Sequence, residues 1–454
     1  MKKNLIEKYN VSVPRYTSYP PANYFTAFSA EQYVAAISES NTARNCHISF
    51  YLHIPYCHQL CHYCGCNSYP MQKTEMVERY VRALHKEIDL VAQHIDRNRA
   101  ISQIHYGGGS PSALPVGTLK ALNDHLLSLF PVIDQPEIAI ECHPGFLDGN
   151  DWEALSKAGF NRISIGVQDF DTEVLQAVNR KPARLPIETI VALLRANNVA
   201  INMDFLFGLP IQTPESFNRS IERAVALRPD RLTTFSYGHC PWIFKRQLIL
   251  EKRGLPSPAM KAAMFESAKN TLHSAGYECV GMDHFVLPDD ELAVALRTHR
   301  LHRNFQGYCT RRTTGQVYAL GVTGISQMET AYAQNTKNIS EYVEEIENGR
   351  LTTRKGYQLT HEQRIAREVI ETLMCNYRID WNNLSERIGV PREAIKAVLA
   401  YDETMLAEME EDGILQHTPD LLTITGDGNP FVRNVAMALD PLMRSEQKMF
   451  SKPI

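Results

Sequence analysis

Several things are missing from this 454-residue chain, and each absence closes a class of function. No apolar run reaches the roughly 18 residues that a membrane-spanning helix needs. The basic opening Met1-Lys2-Lys3-Asn4 has no apolar stretch behind it, so no secretory signal is expected and a cytosolic location is. A strong charge of either sign is lacking: 47 Lys and Arg against 51 Asp and Glu leave a formal charge of −4. That excludes a basic coat for nucleic acid, while a local basic patch stays open. No internal repeat or low-complexity tract is visible beyond an alternation of strand-like and helix-like stretches. With no exposed heptad and no long apolar stripe, a monomer is expected.

What is present looks like a soluble globular enzyme, with 44% hydrophobic and 22% charged residues. At roughly 150 residues per domain, the length suits three domains or one large barrel with additions. β-rich runs recur at 48–54, 103–106, 137–141, 162–168, 200–207 and 231–237, with amphipathic segments between them at 74–95, 115–129, 151–158, 186–197 and 214–227. Six strand-then-helix units in series predict parallel strands with helices outside, two units short of a full barrel. The expected fold class is therefore α/β, an incomplete (β/α)6 barrel, with its chemistry at the carboxyl ends of the strands. Polar and glycine residues cluster at those ends: the cysteines, Gly107-Gly108-Gly109-Ser110, Glu141, Gln168-Asp169, Asp204 and Tyr237-Gly238-His239.

The expected organisation is an N-terminal covering segment over 1–45, the partial barrel over 46–255, an extension over 256–358 and a mainly helical C-terminal cap over 359–454. In the extension a helix is expected over 260–275 and a strand over 278–285. The C-terminal region reads as helices over 362–375, 381–388 and 391–411, a hairpin over 413–425 and a last helix over 431–442. Helices plus a hairpin resemble a winged helix. The acidic stretch 405–412 would repel phosphate, so a structural cap is preferred to DNA binding.

Of 10 cysteines, six stand alone (Cys46, Cys142, Cys240, Cys279, Cys309 and Cys375) and read as small buried hydrophobes. The other four form the string Cys57-His58-Gln59-Leu60-Cys61-His62-Tyr63-Cys64-Gly65-Cys66. This is no secreted disulfide framework, which would be short and cysteine-dense throughout. A structural zinc site normally wants four ligands, often as two separated pairs, and no second pair lies downstream. Cys66 could serve as a fourth ligand only in a cramped tetrahedron; its role is left open. Thiolates at such short spacing suit an iron–sulfur cluster. Three of them on a four-iron cube leave one iron free for a small molecule. Metal analysis separates the two readings, because a zinc protein would be colourless.

C-x₃-C-x₂-C after a first strand, with aromatic Tyr63 before the third cysteine, resembles the signature of the radical S-adenosylmethionine enzymes. Cys66, Pro14-Arg15-Tyr16-Thr17-Ser18-Tyr19-Pro20, Gly281-Met282-Asp283-His284-Phe285 and His302-Arg303-Asn304-Phe305-Gln306-Gly307-Tyr308 sharpen the resemblance to the oxygen-independent coproporphyrinogen III oxidases, nearly end to end. The resemblance implies a radical-SAM barrel and a [4Fe–4S] cluster on Cys57, Cys61 and Cys64. It also implies S-adenosylmethionine, two molecules of it in this family. In that family the open iron chelates S-adenosylmethionine, and one electron cleaves it to methionine and a 5′-deoxyadenosyl radical. Tyr51, Tyr63, Gly108, Gly109, Ser110, Glu141, Gln168, Arg180, Asp204, Gly238 and Ile325 fall on the family's cofactor positions. Phe305 and Gln306 match residues that the family needs for activity. The implied substrate is coproporphyrinogen III, two of whose four propionates become vinyl groups. Arg15 and Arg303 are the candidates for binding its carboxylates. The implied electron source is a reducing donor such as flavodoxin, with no nucleic acid or membrane partner. One stretch departs from the family: Cys142-His143-Pro144-Gly145-Phe146 stands where an aspartate and an arginine usually flank the proline. That leaves open a paralogue acting on another tetrapyrrole, or binding haem without oxidase activity.

Overall fold

The computed structural model describes residues 3–43, 47–310 and 316–444. Cys46 lies outside the described residues. Six parallel strands form the centre: β1 Ile48–Ile54, β2 Ile101–Gly108, β3 Val132–Cys142, β4 Arg162–Gln168, β5 Ala200–Phe207 and β6 Arg231–Ser236. They are neighbours in chain order, as expected from serial strand–helix units. In β1 every residue but Tyr51 is fully buried, the mark of a strand covered on both faces.

The helices follow their local signals. In Pro214–Leu227 the Thr213 hydroxyl accepts from the Ser216 amide, and Pro214 opens the helix where its missing N–H costs nothing. Phe217, Ser220, Ile221 and Ala224 form its buried stripe at i, i+3, i+4 and i+7. Burying a side chain such as Phe217 or Ile221 is worth about 1.5–3 kcal/mol. A short helix that the periodicity did not show, Thr172–Ala177, opens on the Asp171 cap.

The sheet is larger than expected. A seventh strand, β7 Gln316–Leu320, pairs in parallel with β1. Antiparallel strands Ile325–Gln327, Ala331–Asn335, Thr353–Gln358 and Thr26–Ala27 continue beyond it. On the other side β6 is followed by a hairpin, giving 13 strands in one hydrogen-bonded order with two ends. That hairpin corrects the single strand expected over 278–285. Gly281 takes φ +64°, and the chain folds back as Glu278–Val280 against His284–Val286. Such a φ suits glycine, and a Cβ at Gly281 would collide with the Tyr308 ring.

The C-terminal region is helical with a small sheet. Helix His361–Asn376 is buried over most of its length, and Arg378–Asp380, Leu421–Ile424 and Leu415–His417 form three antiparallel strands. The helix expected over 391–411 is two, Arg392–Val398 and Glu403–Glu411. They part because the Ala400 and Asp402 amides turn to the Leu439 and Ala438 carbonyls, and the Asp402 side chain caps the second helix.

Two main hydrophobic cores result. One lies under the large sheet; the other fills the C-terminal region and takes in Leu5, Tyr9, Tyr16 and Tyr19 from the chain's start. The acidic 405–412 stretch has a structural use here. Lys8 pairs with Asp412 at 2.6 Å and Glu408 at 2.8 Å, and the Tyr9 hydroxyl donates to Asp412 at 2.6 Å.

Candidate active site

The cysteines lie in the loop that follows β1. Cys61 is buried, Cys57 and Cys64 are half-buried, and Cys66 is exposed. Burial, then the nearby Cys64 and Cys61, pushes the Cys57 thiol up to about 12, while Arg246 and Arg180 oppose the shift. The three sulfurs are thus mutually close and flanked by two cations. Arg180 Nη1 donates to Cys61 Sγ at 3.5 Å and to the Tyr63 hydroxyl at 3.2 Å; Nη2 donates to the Gly166 carbonyl. Arg246 donates to the Cys64 carbonyl at 2.9 Å, and Gln247 to the Tyr63 carbonyl at 3.0 Å. Among the described residues no three His, Cys, Asp or Glu side chains converge on a point that one metal ion could fill.

Beside the thiols lies a cradle of backbone. A Cβ on Gly107 would sit 2.9 Å from Glu141 Oε1, on Gly108 2.6 Å from the His53 ring, and on Gly109 2.6 Å from the Pro55 carbonyl. Only glycine passes here. His53 keeps this edge in place: burial holds its imidazole down to about 4, so the ring is neutral. Its Nε2 donates to the Asn67 carbonyl at 3.0 Å, and its Nδ1 accepts from the Tyr51 hydroxyl at 3.2 Å. His53 had no role in the sequence reading. The available signal was its spacing of two from Tyr51, which puts two polar rings on one face of an apolar strand.

The remaining strand ends converge as expected. Glu141 on β3 meets His105 Nε2 at 3.3 Å. Gln168 ends β4 at φ +67°, where the register with β5 shifts. Asp204 on β5 accepts from Ser164 at 2.6 Å and from Asn202 at 2.8 Å. Burial raises the Asp204 carboxyl; the Glu141 charge adds to the shift, and the Ser164 and Asn202 hydrogen bonds and His284 oppose it. Ser110 lies 3.3 Å from the Ser112 hydroxyl. A Cβ at Gly238 would meet nothing within 4 Å, so glycine is not required there. Ile325 packs with Phe305 against the buried group of Phe25, Tyr332 and Leu359, on the strand next to β7. Phe305 meets Tyr332 edge-on at 5.8 Å, and the Gln306 amide donates to Asn304 Oδ1 at 2.9 Å.

A second polar group faces the mouth from the extension. Asp283 Oδ1 is paired with His284 Nδ1 at 2.7 Å. Burial opposes ionisation of Asp283, but His284, Arg303 and Arg15 together hold its carboxyl below the usual range. The Arg303 guanidinium lies 4.9 Å over the Tyr308 ring, with its buried Nε and Nη1 unpartnered among the described residues. Arg15 is exposed and makes no hydrogen bond or ion pair among the described residues. The two arginines, far apart in sequence, both act on one acid through their charge, without bonding to it among the described residues. In the sequence Asp283, His284 and Tyr308 stand out only through the resemblance, which assigns them no role; Lys261, whose Nζ donates to the Tyr237 carbonyl at 3.0 Å, carries no sequence signal.

The departing stretch 142–146 packs against the cysteine loop. The Phe146 ring is 4.8 Å from His58 and 5.0 Å from His143, and Lys181 lies 4.7 Å over it. His143 Nδ1 accepts from the Gly145 amide at 3.0 Å, while Nε2 is buried without a partner among the described residues.

The radical SAM superfamily model matches residues 51–224. The oxygen-independent coproporphyrinogen III oxidase of Synechocystis sp. is 35% identical over 455 residues, covering 99% of this chain and 97% of the relative. That of Pseudomonas aeruginosa is 37% identical over 456 residues, covering 99% and 98%. Among solved structures, coproporphyrinogen III oxidase of Escherichia coli, described as a radical SAM enzyme, superposes with a TM-score of 0.87 at 35% identity over 97% of this chain and 99% of that one.

Proposed function

Because the chain belongs to the oxygen-independent coproporphyrinogen III oxidase family of radical S-adenosylmethionine enzymes, we propose that Arg15 and Arg303 receive the propionates of coproporphyrinogen III. The chain is an oxidoreductase of haem biosynthesis that works with a [4Fe–4S] cluster and S-adenosylmethionine. Each reacting propionate gives up a β-hydrogen atom, carbon dioxide and one electron and becomes a vinyl group. Two such events yield protoporphyrinogen IX.

The residues present suit these groups. Three adjacent thiols flanked by Arg180 and Arg246 fit an anionic cluster, and they leave one corner without a protein ligand. When bound, the cluster and S-adenosylmethionine supply a radical able to take a hydrogen atom from carbon. Gly107, Gly108 and Gly109 let backbone approach the methionine part closely. Glu141 and Asp204 offer carboxylates to its amino group and ribose hydroxyls. Gln168, Ser110, Tyr51, Tyr63 and Gly238 line the same strand ends. A second S-adenosylmethionine, for the second decarboxylation, belongs to this proposal.

The observation that carries the substrate assignment is Arg303. Two buried guanidinium nitrogens without partners among the described residues, with an ionised Asp283 nearby, cost free energy that an incoming carboxylate would recover. The segment that carries Arg15 is tied down. Arg433 donates to the Val13 carbonyl and, at 2.8 Å, to that of Pro14. Tyr16 and Tyr19 donate to Asp440 at 2.9 Å each. The backbone on both sides of Arg15 is therefore held, and the covering segment can keep water from the mouth.

The test is anaerobic incubation of the cluster-loaded chain with coproporphyrinogen III, S-adenosylmethionine and a reductant. Mono- and divinyl products are expected. Their absence with an intact cluster would favour a relative acting on another tetrapyrrole, for which the 142–146 stretch is the structural support.

A further inference from the structure

We propose that the surface of residues 242–253 is the docking site for an acidic protein that carries one electron to the cluster. The proposal rests on the oxidase reading, which requires an electron from outside the chain.

Exposed large hydrophobic side chains are sparse on this molecule, yet Trp242, Ile243, Leu248 and Ile249 fall within eight residues. Trp242 is 76% exposed and Ile243 64%. An apolar group of this kind marks a partner surface more often than chance. Trp is also among the residues that anchor interfaces.

The charge of the segment is opposite to that of the chain. Lys245, Arg246, Lys252 and Arg253 stand against Glu251 alone, in a protein of formal charge −4. Glu251 is itself engaged, accepting from His239 Nε2 at 2.7 Å. The segment thus offers net positive charge around an apolar centre, which steers an acidic partner.

Its position supplies the purpose. Phe244 packs on the cysteine loop, its ring 3.4 Å from where a Cβ of Gly65 would stand. Arg246 and Gln247 bond the Cys64 and Tyr63 carbonyls at 2.9 and 3.0 Å. A partner seated on the outer face of this segment is therefore separated from the cluster sulfurs by one layer of chain. Electron transfer falls steeply with distance, so this is where a donor must sit. The step itself is simple: one electron leaves the carrier's reduced flavin or iron–sulfur centre and enters the cluster, with no bond made or broken in the protein.

Purified flavodoxin is the probe. The variant W242S/K245E/K252E changes three side chains that make no hydrogen bond or ion pair among the described residues. Its affinity for oxidised flavodoxin, read by calorimetry at low ionic strength, is expected to fall at least tenfold. Cluster bleaching by reduced flavodoxin should slow by a similar factor, and bleaching by dithionite should not change. In the unaltered chain, affinity should fall as salt rises. The proposal is overturned if the unaltered chain forms no complex, if the variant binds as well, or if dithionite bleaching slows equally. Self-association of the unaltered chain that the variant abolishes would also overturn it. None of these readouts needs vinyl product, so failure of the oxidase reading is told apart from failure of this one.

Discussion

The parallel strands and the antiparallel additions around them contribute to the site by different routes. On the parallel side, the Gly107–Gly109 cradle, Glu141 and Gln168 come together because consecutive strands end there, each one neighbour along from the last. On the other side, Arg15, Asp283 and Arg303 come from three separate segments, and no single sheet orders them. Arg15 is delivered by a segment clipped to Asp440 and Arg433 of the C-terminal region. Arg303 comes from the hairpin Leu301–Asn304 and Gly307–Thr310, and Asp283 from the turn after Glu278–Val280. A repeated topology assembles the half proposed for the cofactors; individual long-range bonds assemble the half proposed for the substrate. Damage to the first should destroy chemistry outright, and damage to the second should weaken binding by degrees.

The largest effect is expected at the thiols. Cys61→Ala should lose the cluster, with iron falling well below about four per chain, and activity dropping by about 10³ or more. Full activity with bound iron would break the division drawn above. Next, Arg303→Ala should lower kcat/KM about 100-fold, corresponding to about 3 kcal/mol for a buried charged hydrogen-bond donor. Arg15→Ala, at an exposed position, should cost about tenfold. In both variants the cluster absorption should be unchanged, and steady-state kinetics beside a visible spectrum will read this.

A buried acid fastens a helix of the parallel region to the segment 321–342 beyond β7. Glu87, on the helix Thr74–Ala92, accepts from the Gly321 amide at 2.6 Å, the Tyr342 hydroxyl at 2.6 Å and Asn335 Nδ2 at 2.7 Å. Burial nonetheless pushes its carboxyl up to about 7. The folded state therefore binds a proton that the unfolded state has already released. Stability is full below about 4.5 and falls as pH rises to about 7, by up to about 3 kcal/mol. Glu87→Gln should flatten that slope; a melting-temperature series from pH 4.5 to 8 compares the two chains. The smallest effect is expected at Asp440→Asn, which weakens both tyrosine bonds by about 1 kcal/mol in all. KM should rise about threefold with kcat nearly unchanged, since only the covering segment loosens.

Legibility in the sequence followed the same division. The six central strands were readable because apolar periodicity and glycine punctuation are local signals. The seventh strand, Gln316–Leu320, was not, because its partner β1 is more than 260 residues away. The single strand expected over 278–285 missed one left-handed glycine whose need comes from Tyr308, again a distant residue. At the site, Arg15 and Arg303 were picked on chemistry and resemblance. That the charges of both bear on Asp283 is not legible in spacing.

By itself the sequence determined the three-thiol loop, the glycine cradle after the second strand and the order of carboxylates along the strand ends. Each depends on neighbours within a few residues or on the next strand in line. Tertiary structure alone decided which cations stand over the mouth, how the N-terminal segment is tied down, and that a basic apolar surface backs the cysteine loop. Those outcomes depend on burial and on bonds between segments hundreds of residues apart, for which a linear pattern has no period.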